Sequence, residues 1–113
     1  MNRGAVLAAA IDDAPVCVFV ADQDMRYVAV NRHACELLGY DEEELLQLGV
    51  SDIATYDEAR NEYSQMVEQA YMRGRSRLRC KDGEHVWLYY SAGQVDVDGQ
   101  RLYVSVGRVE FED

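Results

Sequence analysis

From Arg75 onward the sequence changes to a period of two, plainest in Arg75-Ser76-Arg77-Leu78-Arg79-Cys80 and in Val104-Ser105-Val106. Two short runs of turn-forming residues, Lys81-Asp82-Gly83 and Asp96-Val97-Asp98-Gly99, punctuate the alternation. A period of two belongs to a strand, whose successive side chains point to opposite faces. Strands joined by so few residues fold back on each other antiparallel. Three strands are therefore expected, from Arg75 to Cys80, His85 to Val95 and Gln100 to Val109, and the rest of the chain must pack on that meander.

Upstream the pattern is mixed. Val16 to Ala21 is a run of β-branched and aromatic residues, Asp22-Gln23-Asp24 is a turn, and Arg26 to Val30 is a second strand, so this stretch reads as a hairpin. Asn31 then caps a short helix with Ala34, Leu37 and Leu38 on its apolar side and Gly39 as its stop. Asp41, with Glu44 three residues on, opens a second helix carrying Leu45, Leu46 and Leu48 and ending at Gly49. Thr55-Tyr56-Asp57-Glu58 opens a longer one, with Ala59, Tyr63, Met66, Val67, Ala70 and Tyr71 at helical spacing and Gly74 as its end. At the N-terminus, Val6, Leu7, Ala10 and Ile11 share one helical stripe that stops before Pro15. Strands and helices grouped in runs indicate the α+β class, an antiparallel sheet with helices on one face. The expected division is an N-terminal cap helix over 1–14 and one core domain over 15–113.

Composition narrows the partners. The 113 residues suffice for one core. Asp and Glu outnumber Lys and Arg by 21 to 11, a formal charge of −10, which argues against nucleic acid and anionic membranes. Arg73, Arg75, Arg77, Arg79 and Lys81 fall on one face of a strand and read as a solvated face that discourages edge pairing. No apolar run reaches the roughly 18–20 residues of a membrane span. Asp12 and Asp13 stand where a leader cleavage site would need small neutral residues, so a cytoplasmic protein is expected. The three cysteines, Cys17, Cys35 and Cys80, form no C-x-x-C pair and read as small buried hydrophobes, with no metal site. No phosphate loop, G-x-S-x-G or H-E-x-x-H is present, and Asp41-Glu42-Glu43-Glu44 suits a helix N-terminus; an enzyme is not expected. Asp52 is the one carboxylate expected near a pocket mouth.

Several of these features together resemble the PAS, or sensory box, family. They are the strand ending at Asp22, the strand ending in Val30-Asn31, the stretch Ala34-Cys35-Glu36-Leu37-Leu38-Gly39-Tyr40, the run Glu43-Glu44-Leu45, the pair Asp82-Gly83 followed by Trp87, and Tyr103 to Gly107. The resemblance implies a five-stranded antiparallel sheet whose concave face is covered by the helices between Asn31 and Arg73. It also implies a sensor that passes its state to an output domain such as a kinase, cyclase or transcription factor. Relatives that form a flavin adduct carry an Asn-Cys pair after the second short helix. Here that stretch reads Gly49-Val50-Ser51-Asp52-Ile53, and Leu88 and Gly107 stand where flavin-binding amides are expected, so adduct photochemistry is not expected. Haem-binding relatives use a histidine on or near the long helix. Residues 57–74 hold none, His33 and His85 lie elsewhere, and haem is not expected although Met66, Met72, Tyr63 and Tyr71 have the donor chemistry. The cofactor is unassigned.

Strand alternation nominates Phe19, Ala21, Leu88, Tyr90, Tyr103 and Ser105, and the helices add Leu38, Tyr63 and Met66, as the wall of a small-molecule pocket. Tyr90 and Tyr103 are its polar handles. The opposite sheet face carries Trp87, Tyr89, Val104 and Val106. It is expected to be covered by the N-terminal helix, through Val6, Leu7, Ala10 and Ile11, or by a second subunit in a homodimer. The competing reading is an interaction or dimerisation module with a filled core and no ligand.

Overall fold

A computed structural model of the chain describes residues 1–55 and 71–112. A ten-residue helix α1 (Arg3–Asp12) leads into strands β1 (Cys17–Ala21) and β2 (Tyr27–Val30). Three short helices follow, α2 (Arg32–Leu38), α3 (Glu42–Leu46) and α4 (Val50–Ile53), and then β3 (Tyr71–Arg79), β4 (His85–Val97) and β5 (Gln100–Phe111). The strands form one antiparallel sheet in the order β2-β1-β5-β4-β3, so the two hairpins meet along β1 and β5. The expected α+β architecture, a five-stranded antiparallel sheet with helices and a short N-terminal helix, is the one observed.

The local signals act as their chemistry dictates. Asp22 closes the first hairpin by accepting from the backbone N–H groups of Asp24 and Arg26 at 2.9 and 3.1 Å, while Met25 takes the left-handed conformation. Gly39 ends α2 at φ +83°, where a residue with a Cβ is strained. Asp41 and Glu44 form a reciprocal capping box on α3.

Three boundaries differ from the sequence expectation. The helix expected from Thr55 falls mostly on residues outside those described, but Tyr71 and Gly74, read as its last turn and its stop, lie in β3. The 13-residue β4 offers a ladder that β3 follows from Tyr71 opposite Gly93 to Arg79 opposite His85, and that pairing overrides the local helical spacing. Gly49 does not terminate α3, which ends at Leu46. It starts α4, because its neighbour Val50 donates to the Met25 carbonyl at 2.8 Å and Gly49 itself bridges Arg26. The turn between β4 and β5 is only Asp98-Gly99, both at positive φ (52° and 79°), with Val97 still paired to Gln100. Two left-handed residues match the twist of the flanking strands and so extend both of them.

The core lies between the inner sheet face and α2, α3 and α4. Cys17, Phe19, Ala34, Leu38, Leu45, Ile53, Val86 and Leu88 are each at least 95 % buried there. Phe19 packs on Tyr27 with ring centroids 5.5 Å apart. By contrast, α1 buries none of its residues. It lies at the β1–β2 end of the outer face, where Ala8 and Ile11 stand across a shallow groove of about 210 Å³ from Val18, Val20 and Ala29. Val6, Leu7 and Ile11 remain exposed, so the helix does not bury its apolar stripe against its own chain.

Candidate functional site

Because the sheet is antiparallel and nearly regular, its inward residues line up in rows across the strands. One row runs Ala21, Tyr103, Gln94; the next Phe19, Ser105, Ala92, Met72; the third Cys17, Gly107, Tyr90, Gly74; the fourth Val109, Leu88, Ser76. All six strand residues nominated as pocket wall therefore share the inner face, but they are not equivalent. Phe19, Ala21 and Leu88 belong to the main core together with Leu38, which is 1 % exposed. Tyr103 and Ala92 form a second buried cluster, flanked by half-buried Met72 and Tyr90. Ser105, half-buried, joins the two. Tyr63 and Met66 lie outside the described residues.

The second cluster holds most of the polarity of this face. The Tyr90 hydroxyl reaches the Met72 sulfur at 3.9 Å, and Gly74 leaves the room it occupies, since a Cβ on Gly74 would sit 3.0 Å from that oxygen. The amide of Gln94 accepts from Arg101, which also pairs with Asp96. Gln94, Ala92 and Met72 were not among the nominated residues. The first two follow from stepping two residues at a time beyond Tyr90. Met72 was hidden by its apparent place in a helix.

Asp52, expected near a pocket mouth, is exposed and acts as a cap. Its carboxylate accepts from the Gly49 N–H at 2.8 Å and so holds the first turn of α4. Tyr71, one of the residues with donor chemistry for iron, points to the outer face and accepts from Arg73 at 2.9 Å, away from Met72. Burial pushes the Cys17 thiol up to about 11, and burial with nearby carboxylates raises Cys35 and Cys80 as well. Thiols held protonated in this way are poor nucleophiles. Among the described residues no group of side chains is arranged to hold a metal ion.

Residues 15–112 match the family model described as PAS domain. The chain belongs to the PAS family. Solved PAS domains superpose on it closely: one from a two-component sensor histidine kinase at a TM-score of 0.85 and 19 % identity, covering 95 % of this chain and 96 % of that one. Another, from an HTR-like protein of Haloarcula marismortui, gives 0.84 and 20 %, covering 95 % and 91 %. The LOV domain of a blue-light activated histidine kinase from Erythrobacter litoralis gives 0.74 and 16 %, covering 87 % and 98 %. No curated protein matches the chain in sequence. At these identities the likeness concerns the fold, and the PAS side chains of this chain must be read for themselves.

Trp87, Tyr89, Val104 and Val106 share the outer face of this PAS domain, as their alternation requires, but the register separates the aromatics, opposite Glu110 and Arg108, from the valines, opposite Gly93 and Ser91. The two aromatics are not bare. The Arg75 guanidinium stacks 4.4 Å from the Trp87 ring centroid and Arg108 lies 4.9 Å from that of Tyr89. Val106 is 40 % exposed. No helix among the described residues is long and apolar enough to cross a membrane.

Proposed function

We propose that this PAS domain is a signal-transduction sensor that takes a small, mainly apolar molecule with at least one hydrogen-bonding group against the second cluster of the inner face. It is proposed to work in the cytoplasm as a homodimer that controls an attached output domain such as a kinase, cyclase or transcription factor. The observation that carries the reading is the division of the inner face. The main core is filled, whereas Tyr90 and Ser105 bring hydroxyls to half-buried positions beside Tyr103, Met72 and Ala92. An apolar wall with a few placed polar groups is the composition of a ligand site. Phe19, Ala21, Leu38 and Leu88 then act as its rigid floor. A flavin adduct is disfavoured because Gly49 to Ile53 contain no cysteine. Cys35, on α2, is held protonated by burial and by surrounding carboxylates.

A second reading, an interaction module with no ligand, is favoured by one observation: Phe19, Leu38 and Leu88 are already buried within the protein itself. Native mass spectrometry of the purified chain, with an absorption scan through the visible, separates the two. A retained molecule that is lost in Ser105→Leu, while the fold persists, supports the sensor. A bare mass in both proteins, unchanged after incubation with a library of small amphiphilic metabolites, overturns it in favour of the interaction module.

A further inference from the structure

The outer sheet face has two chemical halves. Toward β1 and β2 it is aliphatic, with Val18, Val20, Val104 and Val106. Toward β3 it is cationic and aromatic: Arg73, Arg75, Arg77 and Arg79 on β3, Trp87 and Tyr89 on β4, and Arg108 on β5. Across the strands, Arg75, Tyr89 and Arg108 stand directly opposite one another, and Arg77 stands opposite Trp87. Glu112 pairs with Arg77 at 2.7 Å and Glu110 with Arg108 at 2.5 Å. Among the described residues, Arg73, Arg75 and Arg79 have no carboxylate partner: Arg73 bonds a tyrosine hydroxyl, Arg79 a backbone carbonyl, and Arg75 lies over the Trp87 ring. This excess of cations stands on a chain whose net charge is −10.

We propose that this half of the outer face docks an acidic amphipathic segment of a partner protein. This surface lies beyond the ligand site, and it takes Trp87 and Tyr89 out of the expected homodimer surface, which it leaves to the valines. A guanidinium stacked on an aromatic ring is held in place with its N–H edges turned outward, so it can take a carboxylate in bidentate fashion with little further loss of freedom. The half-buried rings of Trp87 and Tyr89 between such arginines supply the apolar contact. The size fits a short helix. Arg73 to Arg79 spans about 20 Å of strand and β3 to β5 about 10 Å of sheet, the footprint of roughly 13 helical residues. Charge selects against the other polyanion. A nucleic acid longer than the patch would carry its phosphates onto acidic surface within about one Debye length of 8–10 Å, whereas a short peptide presents its carboxylates only to the arginines.

Trp87 is the only tryptophan, so its emission reports on this patch alone. The protein is titrated at low ionic strength with a soluble helical peptide built from Glu and Leu, with its Lys-for-Glu counterpart, and with a single-stranded oligonucleotide. The expected result is a saturable change with the acidic peptide alone, weakened several-fold at high salt and at least tenfold in the Arg75→Glu, Arg108→Glu double variant. If the glutamates unfold the sheet by circular dichroism, Arg75→Gln with Arg108→Gln takes their place and the same loss is expected. No saturable change, or binding indifferent to these substitutions, overturns the proposal. So does tighter saturation by the oligonucleotide. A spectrum that changes with protein concentration alone and stops doing so in the double variant assigns the patch to a second copy instead, and overturns it too. Retention of the small molecule is scored on the same variants, so failure here is distinguishable from failure of the inner-face site.

Discussion

Gly107 and Gly74 lie in the same row of the inner face, two strands apart, and differ in what a side chain there would meet. A Cβ on Gly107 would fall 2.1 Å from the Tyr89 carbonyl oxygen, and that oxygen belongs to backbone held in the centre of the sheet. A Cβ on Gly74 would meet only the far end of the Tyr90 side chain, which can swing. Gly107→Ala is therefore expected to cost about 3 kcal/mol or more, in the range of severe backbone strain, and Gly74→Ala less than about 1 kcal/mol. Urea unfolding of both variants checks this; equal costs would mean that β4 yields as easily as a tyrosine ring. Gly74→Ala should also displace the Tyr90 hydroxyl and weaken any molecule held beside it. The sequence shows both glycines as interruptions of a strand pattern, but it cannot show that one abuts a carbonyl and the other a hydroxyl, because those neighbours come from other strands.

At the scale of elements, Asn31 joins more of the molecule than its role as a helix cap implies. Its side-chain oxygen accepts from Ala34 at the start of α2 and from Val18 in β1, at 3.2 and 3.0 Å. Its amide nitrogen donates to the carbonyls of Ile11, at the end of α1, and of Val16, at 2.9 and 2.8 Å. Asn31→Ala removes all four bonds from a buried position and is expected to cost about 2–4 kcal/mol. Asn31→Asp keeps the acceptor and loses both donations, so hydrogen exchange should accelerate in α1 before it does in α2; unchanged α1 protection would mean that Asp12 and Asp13, which pair with Arg32, hold the helix unaided. The cap was legible from the Asn31-x-x-Ala34 spacing. The tie to α1 was not, because it spans 20 residues. A second link, Lys81 to Glu44 at 2.7 Å, clips the β3–β4 turn to α3. The Lys81 hydrogen bond holds the Glu44 carboxyl below its ordinary range, and Glu44 raises Lys81. The clip's contribution is thus present above the ordinary Glu value of about 4.3 and lost as pH falls through the depressed one; at the basic end it is lost as pH rises through the raised lysine value, beyond about 10.4. Both groups are exposed, so the effect is small. The difference in melting temperature between wild type and Lys81→Met should narrow to nothing on acidification below about pH 4. A difference that persisted there would show that Lys81 acts through its aliphatic stem.

For the whole molecule, the two faces of one sheet have opposite chemistry. The inner face is core plus a polar-edged second cluster; the outer face is aliphatic at one end and arginine-aromatic at the other. If the aliphatic half and the bare stripe of α1 mediate the proposed homodimer, Val106→Arg should convert a dimer to a monomer in sedimentation at micromolar concentration, while Arg75→Glu should leave the dimer intact. A monomer in the wild type would remove the aliphatic face from the proposal. What the sequence by itself determined is everything carried by local spacing: the β4–β5 alternation, the Asp22 turn, the Asn31 and Asp41 caps, the Gly39 stop, and hence the PAS order of elements and the side of the sheet on which Phe19, Leu88, Tyr103, Trp87 and Val106 fall. Tertiary structure decided what depends on partners distant in the chain. It drew Tyr71 to Gly74 into β3 against β4, made Gly49 the start of a helix because Met25 lies against it, and turned Asp52 into a cap. It set Arg75 over Trp87, and left Met72, Tyr90 and Ser105 half-buried beside the buried Ala92 and Tyr103. Periodicity reports which way a side chain points, whereas register and packing decide what it meets there.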